Sequence, residues 1–255
     1  MAKVELYHWE PNANSGKPLV TLLEKGVEFV SHYTDLLNWD QHKPEYLAIN
    51  PSGTIPTLII DGVMLNESTE MGEYIDSYCD GPALRPADPV ERQRMRWWGK
   101  WMDTYFGPSL SMTGWHAFVG PFARANKGED ELRAAIARIP LKERRDAWTM
   151  ALFGTFPEDA LAESRRRVAE GIAFVEAELG KSTWFAGQHY SLADINAFSN
   201  LYALPVSQPH IANSDNTPNL MRWLKRVYER PAIQTSFTYG RTQLAQRALD
   251  VMKTL

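Results

Sequence analysis

The chain has 255 residues, 44% of them hydrophobic and 23% charged, with a formal net charge of -4 and a single cysteine. That length makes two domains the expectation, and the mild acidity argues against a broad basic face for nucleic acid. One cysteine, Cys79, excludes a disulfide framework, and no apolar stretch approaches the roughly 18 residues of a membrane span.

In chain order, Met1 to Trp9 lacks a positive leader, an apolar core and a cleavage site, so a cytoplasmic protein is expected. Val4, Leu6 and His8 alternate with Glu5 and Tyr7 as a first strand. Asn14 or Ser15 can cap a helix that carries Leu19, Leu22 and Leu23 and stops at Gly26. Val27 to Tyr33 reads as a second strand, and a short helix fits near Gln41 to Ile49, before the turn Asn50-Pro51-Ser52-Gly53. Thr57 to Ile60 and Val63 to Leu65 flank Asp61-Gly62, a strong two-residue hairpin signal, and Glu67 to Cys79 closes the set as a helix. The order β-α-β-α-β-β-α needs a mixed sheet, because a helical crossover joins the first two strands and a tight hairpin the last two. A thioredoxin-like fold satisfies it.

Turn formers from Gly81-Pro82 to Asp88-Pro89 read as a linker, giving an α/β domain over 1–82, a linker over 83–89 and an all-α domain over 90–255. Beyond Val90 the periods are helical. Ser191-Leu192-Ala193-Asp194 fits a capping box, Pro218 and Pro231 stand where helices begin, and Leu244, Ala248, Val251 and Leu255 form one stripe. Arg165-Arg166-Arg167 precedes Val168, Ile172, Val175 and Leu179 at helical spacing and reads as a solvated face. The stretch 120–157 is charged, interrupted by Pro140 and Gly154, and shows no clear period.

No glycine-rich nucleotide loop, zinc-protease motif or serine elbow occurs, and the six histidines show no metal-ligand spacing, so no metal is expected. Cys79 reads as a small packing residue. A proline directly before a strand, as in Ile55-Pro56-Thr57, removes an N–H; a cis bond there turns the Ile55 backbone outward, free to pair with an extended peptide. An ordinary turn is the plainer reading. Glu67-Ser68 opens a helix whose amides and dipole attract a carboxylate while Glu67 faces an ammonium group, although Ser68 alone reads as a cap. Asn12, Asn14 and Ser15 end the first strand and start the first helix, where a hydroxyl and the dipole would favour a thiolate; capping explains Ser15 equally well.

With Asn14-Ser15, Asn50-Pro51-x-Gly-x-Ile55-Pro56, Glu67-Ser68 and Ser191-x-x-Asp194 in place, the chain resembles the glutathione transferases. Longer strings, among them Ala13-Asn14-Ser15-x-Lys17-Pro18-Leu19, Asn66-Glu67-Ser68-Thr69 and Tyr190-Ser191-Leu192-Ala193-Asp194-Ile195, look like the bacterial lignin β-aryl ether-cleaving transferases of the LigF type. Only 120–157 and the C-terminal tail lie outside the likeness. The resemblance implies a thioredoxin-like domain followed by a helical bundle, with glutathione as cosubstrate. Ser15, aided by Asn14, would hold the thiolate, and Ile55 before Pro56 would pair with the cysteinyl unit. Glu67 and Ser68 would take the γ-glutamyl group, and Gln41 or His42 would lie near the glycyl carboxylate. It also implies a two-subunit assembly, either a homodimer or a heterodimer with a paralogous chain.

Trp97, Trp98, Trp101, Tyr105, Phe106, Trp115, Phe118 and Phe122 crowd one segment. Packing takes part of them; with Trp9, the candidates for a cleft holding flat aromatic rings are Trp101, Tyr105, Trp115 and Phe118. The expected reaction is attack of the glutathione thiolate on the β-carbon of a β-aryloxy ketone. A general detoxifying transferase and a non-catalytic interaction protein on the same fold are the alternatives.

Overall fold

The computed structural model describes residues 2–11 and 13–254; Asn12 and Leu255, both singled out above, lie outside the described residues. The N-terminal part comprises β1 (Val4–His8), α1 (Ala13–Lys25), β2 (Val30–Tyr33), the short α2 (Pro44–Leu47), the hairpin β3 (Thr57–Ile60) and β4 (Val63–Leu65), and α3 (Ser68–Tyr78). Two 3-10 turns, Leu36–Asn38 and Asp40–His42, precede α2, so the helix expected from Gln41 is shorter than read. The sheet order is β2-β1-β3-β4, with β1 parallel to β2 and antiparallel to β3, as the element order requires.

The alternation in β1 buries Val4, Leu6 and His8. With Leu58 and Ile60, Val4 and Leu6 meet Leu19 and Leu22 of α1 and Met71 and Ile75 of α3. Each such aliphatic side chain contributes about 1.5–3 kcal/mol when withdrawn from water, which fixes both helices on one face. The second strand starts later than expected. The Val27 N–H bonds the Leu22 carbonyl at 3.0 Å, so residue 27 closes α1 instead of joining the sheet.

The helical part opens with a single rod built from α4 (Pro89–Trp101), α5 (Gly107–Gly114) and α6 (Gly120–Asn126), joined through π-helical turns at Met102–Phe106 and Trp115–Val119. Each π turn runs into a Gly-Pro pair, Gly107-Pro108 and Gly120-Pro121. A proline ring clashes with the carbonyl four residues back, and widening the turn relieves the clash. The amides of Gly107 and Gly120 accordingly reach five residues back, to the carbonyls of Met102 and Trp115.

The stretch without a clear period is helical as well, as α7 (Glu129–Ala137) and α8 (Lys142–Phe153), with Pro140 between them and Gly154 ending the second. Then follow α9 (Glu158–Leu179), α10 (Leu192–Leu201), α11 (Leu204–Ser207), α12 (Pro218–Tyr228), α13 (Pro231–Ser236) and α14 (Gln243–Met252). The capping box at Ser191 and Asp194 forms with both bonds present. The arginine run at 165–167 is exposed and ion-paired to Glu158, Glu163 and Glu170, as a solvated face would be. α10 lies at the centre of the large helical core, among Trp98, Phe185, Trp223 and Phe237. A separate cluster of Trp39, Ala123, Leu132, Ile136, Trp148 and Leu152 joins α6–α8 to the loop after β2. Among the described residues no helix is long and apolar enough to cross a membrane.

Candidate functional site

Strand direction alone gathers the candidate segments. β1 ends at His8, and the pairings Tyr7 with Thr57 and Leu58 with Leu65 bring the start of β3 and the end of β4 to that same edge. The loop from Trp9 to Ser15, the Ile55-Pro56 turn and the Glu67-Ser68 corner therefore share one end of the sheet.

Ser15 does not cap α1. The described helix runs from Ala13, which puts Ser15 inside it, and the Ser15 Oγ accepts the Trp9 N–H at 3.0 Å. That acceptance leaves the hydroxyl proton free to donate. The side chain is buried while Asn14 is exposed. First-turn amides lack helical partners, so a thiolate here meets a hydroxyl donor and the positive end of the dipole together.

The Ile55-Pro56 bond is cis. Among the described residues, neither the N–H nor the carbonyl of Ile55 enters a hydrogen bond, so both remain available. Buried Asn50 shapes the turn: its Nδ2 donates to the Thr54 carbonyl at 3.0 Å and to Asn66 Oδ1 at 3.1 Å, tying the turn to the corner before α3. At that corner Glu67 holds a φ of 65 and is the N-cap position, so Ser68 is the first helical residue and not the cap. A left-handed non-glycine costs about 1–3 kcal/mol and tends to mark a site under functional constraint. The Glu67 side chain is exposed.

Beneath the corner, fully buried Lys17 pairs with Asp103 and donates to Thr69 Oγ1 at 3.0 Å, while Thr69 donates to Asp103 at 2.7 Å. This junction locks α1, α3 and the first π turn to one another. Sequence reasoning gave it no role, because a lysine within a helical pattern defaults to solvent.

Gln41 and His42 are buried, 4% and 2% exposed, and Gln41 Oε1 and His42 Nδ1 have no hydrogen-bond partner. His42 lies against the turn: a Cβ on Gly53, whose φ is +63, would stand 2.7 Å from His42 Cδ2, so only glycine fits. Burial, and then the charges of Arg144 and Arg138, hold the His42 pKa down to about 4. These two arginines come from the stretch the sequence left unread, and no periodicity pointed to them.

The aromatic candidates do not converge. Trp9 is half-buried at the edge and its Nε1 is buried without a partner. Trp101 stacks on Tyr105 and Phe106 and meets Phe174 of α9, and Tyr105 lies under the Arg167 guanidinium at 5.6 Å. These two thus pack toward α9 while remaining partly exposed. Trp115 meets Trp148 at 4.7 Å, and Phe118 is exposed. The hollow that includes Lys25, Phe29 and Cys79 lies at the opposite end of the sheet. Burial pushes the Cys79 thiol pKa up there, in keeping with a packing residue.

Residues 13–77 match the family model described as glutathione S-transferase, N-terminal domain, and residues 109–231 match glutathione S-transferase, C-terminal domain. Over 241 residues the chain is 37% identical to Protein LigF of Sphingobium sp., covering 92% of this chain and 93% of that protein. It is 28% identical over 228 residues to glutathione S-transferase F10 of Arabidopsis thaliana, covering 86% and 90%. The crystal structure of β-etherase LigF from Sphingobium sp. superposes with a TM-score of 0.88 at 36% identity, covering 93% of this chain and 100% of that one. A Sulfitobacter glutathione transferase homologue with bound glutathione shares the fold, with a TM-score of 0.67 at 19% identity over 92% and 97% of the two chains.

Proposed function

The chain belongs to the glutathione S-transferase family, and from that premise we propose that it is a β-etherase, cleaving β-aryl ethers of lignin-derived ketones with glutathione. Glutathione is the cosubstrate of the family. Its cysteinyl unit pairs with the Ile55 backbone beside Pro56, its γ-glutamyl head meets Glu67 and the first amides of α3 at Ser68, and its glycyl end points to Gln41 and His42. The sulfur then lies at Ser15, with Asn14 beside it. The observation that carries this reading is the bond from the Trp9 N–H to the Ser15 Oγ, which leaves the serine proton for a thiolate.

The thiolate attacks the β-carbon in line with the aryloxy group: the S–C bond forms, the C–O bond breaks, and the electron pair departs on a phenolate that takes a proton from water. A neighbouring ketone makes that carbon electrophilic, and a phenol of pKa about 10 leaves without a strong acid. The protein's task is to form and align the thiolate. The products are a glutathione thioether and a free phenol. We place the glutathione domain at 1–82, the linker at 83–89 and the helical domain at 90–255, in a two-subunit cytoplasmic enzyme.

The test is incubation with glutathione and each enantiomer of a guaiacyl β-ether ketone, followed by chiral chromatography. Release of the methoxyphenol with one enantiomer consumed first is the expected result; no phenol from either overturns the reading. Because Trp101 and Tyr105 face α9, a looser pocket and a general detoxifying transferase form the second reading. Equal rates on chlorodinitrobenzene and the β-ether would favour it.

A further inference from the structure

Seven cations lie on α6–α8 and their turns, and five of them have an ion pair or two carbonyl acceptors. Lys127, Arg133 and Lys142 pair with Glu131, Glu129 and Asp146 one helical turn away. Arg124 donates to the Ala151 and Leu152 carbonyls, and Arg145 to those of Ile139 and Pro140. Arg138 and Arg144 differ. Among the described residues neither meets a carboxylate; Arg138 makes one long bond, 3.4 Å to the Ala134 carbonyl, and Arg144 makes none.

Arg144 lies on α8 one helical turn before Trp148, and Arg138 in the turn between α7 and α8; their charges also help to hold the His42 pKa down. Their position is fixed by packing. Trp39, three residues before His42, is 1% exposed, and its ring lies 5.1 Å from that of Trp148 on α8. Gly120 lets α8 approach the rod so closely that a Cβ there would stand 2.3 Å from the Ala151 carbonyl. The turn carrying Arg138 and the first turn of α8 carrying Arg144 are thereby held at the Gln41–His42 end of the site.

Buried polar atoms without partners are uncommon, and His42 Nδ1, which as an N–H can donate to an anion, is one of them at this place. With His42 neutral near pH 7, it offers a hydrogen bond and no charge. An anion arriving here needs its countercharge from another element.

We propose that Arg144 and Arg138 receive the glycyl carboxylate of glutathione over Gln41 and His42, so that α6–α8 selects for the free C-terminal carboxylate of the tripeptide. This rests on the glutathione reading above and adds an element of the helical part to a site otherwise built on the sheet edge. The ligand brings a carboxylate to two cations that have none among the described residues, and charge-assisted bonds of this kind are among the stronger ones available to a ligand.

The experiment measures binding of glutathione, and of its monoethyl ester at the glycyl carboxyl, by tryptophan fluorescence on the full chain. Wild type should favour the free acid by about tenfold or more. In R138Q/R144Q that preference should vanish, with glutathione weakened about tenfold to a hundredfold and the ester unchanged. KM for glutathione should rise while kcat at saturation holds, and R138K/R144K should recover part of the preference. Equal losses for acid and ester, or a preserved preference, would overturn the proposal. Failure of wild type to bind either form would remove the glutathione reading itself and this assignment with it.

Discussion

The sheet edge at Ser15, Ile55 and Glu67 and the helical unit α6–α8, which packs on the loop after β2 at Trp39, hold their polar groups in opposite ways. The edge uses backbone atoms and short side chains set by local geometry: a serine in a first turn, a free peptide group before a cis proline, a left-handed residue before a helix. The helical unit holds two long, exposed arginines on a scaffold fixed by apolar packing around Trp148. A change at the edge should therefore alter the chemistry of the sulfur, while a change in the helical unit should alter affinity and stability.

The largest expected effect breaks the link between the two regions. Trp148 is buried against Trp39 and Trp115, so Trp148→Ala should cost about 3–5 kcal/mol of unfolding free energy and loosen α6–α8. Denaturant unfolding followed by fluorescence measures it; a loss below about 1 kcal/mol would mean that other contacts hold the unit. Next comes Ser15→Ala, which removes a donor aimed at developing charge and should lower kcat/KM about a hundredfold, near 3 kcal/mol. Its rate profile should move to alkaline pH, because the thiolate forms less readily. Unchanged turnover with an unchanged profile would assign the work to Asn14 or to the α1 amides. Smaller again is Gly53→Ala, where a strained φ of +63 and a 2.7 Å contact to His42 together should cost about 1–3 kcal/mol and weaken glutathione binding. An alanine variant that binds glutathione normally would separate the turn from the His42 end of the site.

The same contrast decides what the sequence disclosed. Asp61-Gly62 and the Ser191 to Asp194 box were legible because each is complete within four residues. The proline turn was legible as either a cis bond or a plainer ordinary turn, and Glu67-Ser68 as a helix start, though not the left-handed backbone of Glu67; strand order brings the two together. Ser15 stood open between a cap and a thiolate donor; of the two, the cap falls away because the described part of α1 already starts at Ala13, a boundary that propensity does not resolve. Arg138 and Arg144 were invisible for a different reason: their meaning depends on Trp39 meeting Trp148, a contact between distant parts of the chain. The π turns fall between these cases. Gly107-Pro108 and Gly120-Pro121 stand in the sequence where they form, but nothing in a 3.6-residue period discloses the extra residue in each turn.

A final prediction compares two buried groups that titrate in opposite senses, one beside the sheet edge and one in the core around α10. Burial, with Arg144 and Arg138, depresses His42 from 6.5 to about 4, so the folded state resists the proton. The stability this group contributes is present above 6.5 and is lost as pH falls toward 4. Burial raises Asp194 from 3.8 to about 6, although Trp223, Phe185 and Ser191 donate to it. Its contribution runs the other way, present below 3.8 and lost as pH rises through 6. Between pH 7 and 5.5 each term amounts to about 1 kcal/mol, and the two offset in the wild-type chain. His42→Gln removes the first and leaves the second. On acidification over that interval the variant should gain about 1 kcal/mol relative to wild type, a difference of about 2–4 °C in melting temperature for a chain this long. Parallel melting curves across that range would show that His42 is solvated or already satisfied, and the electrostatic link from the helical unit to the sheet edge would lose its support.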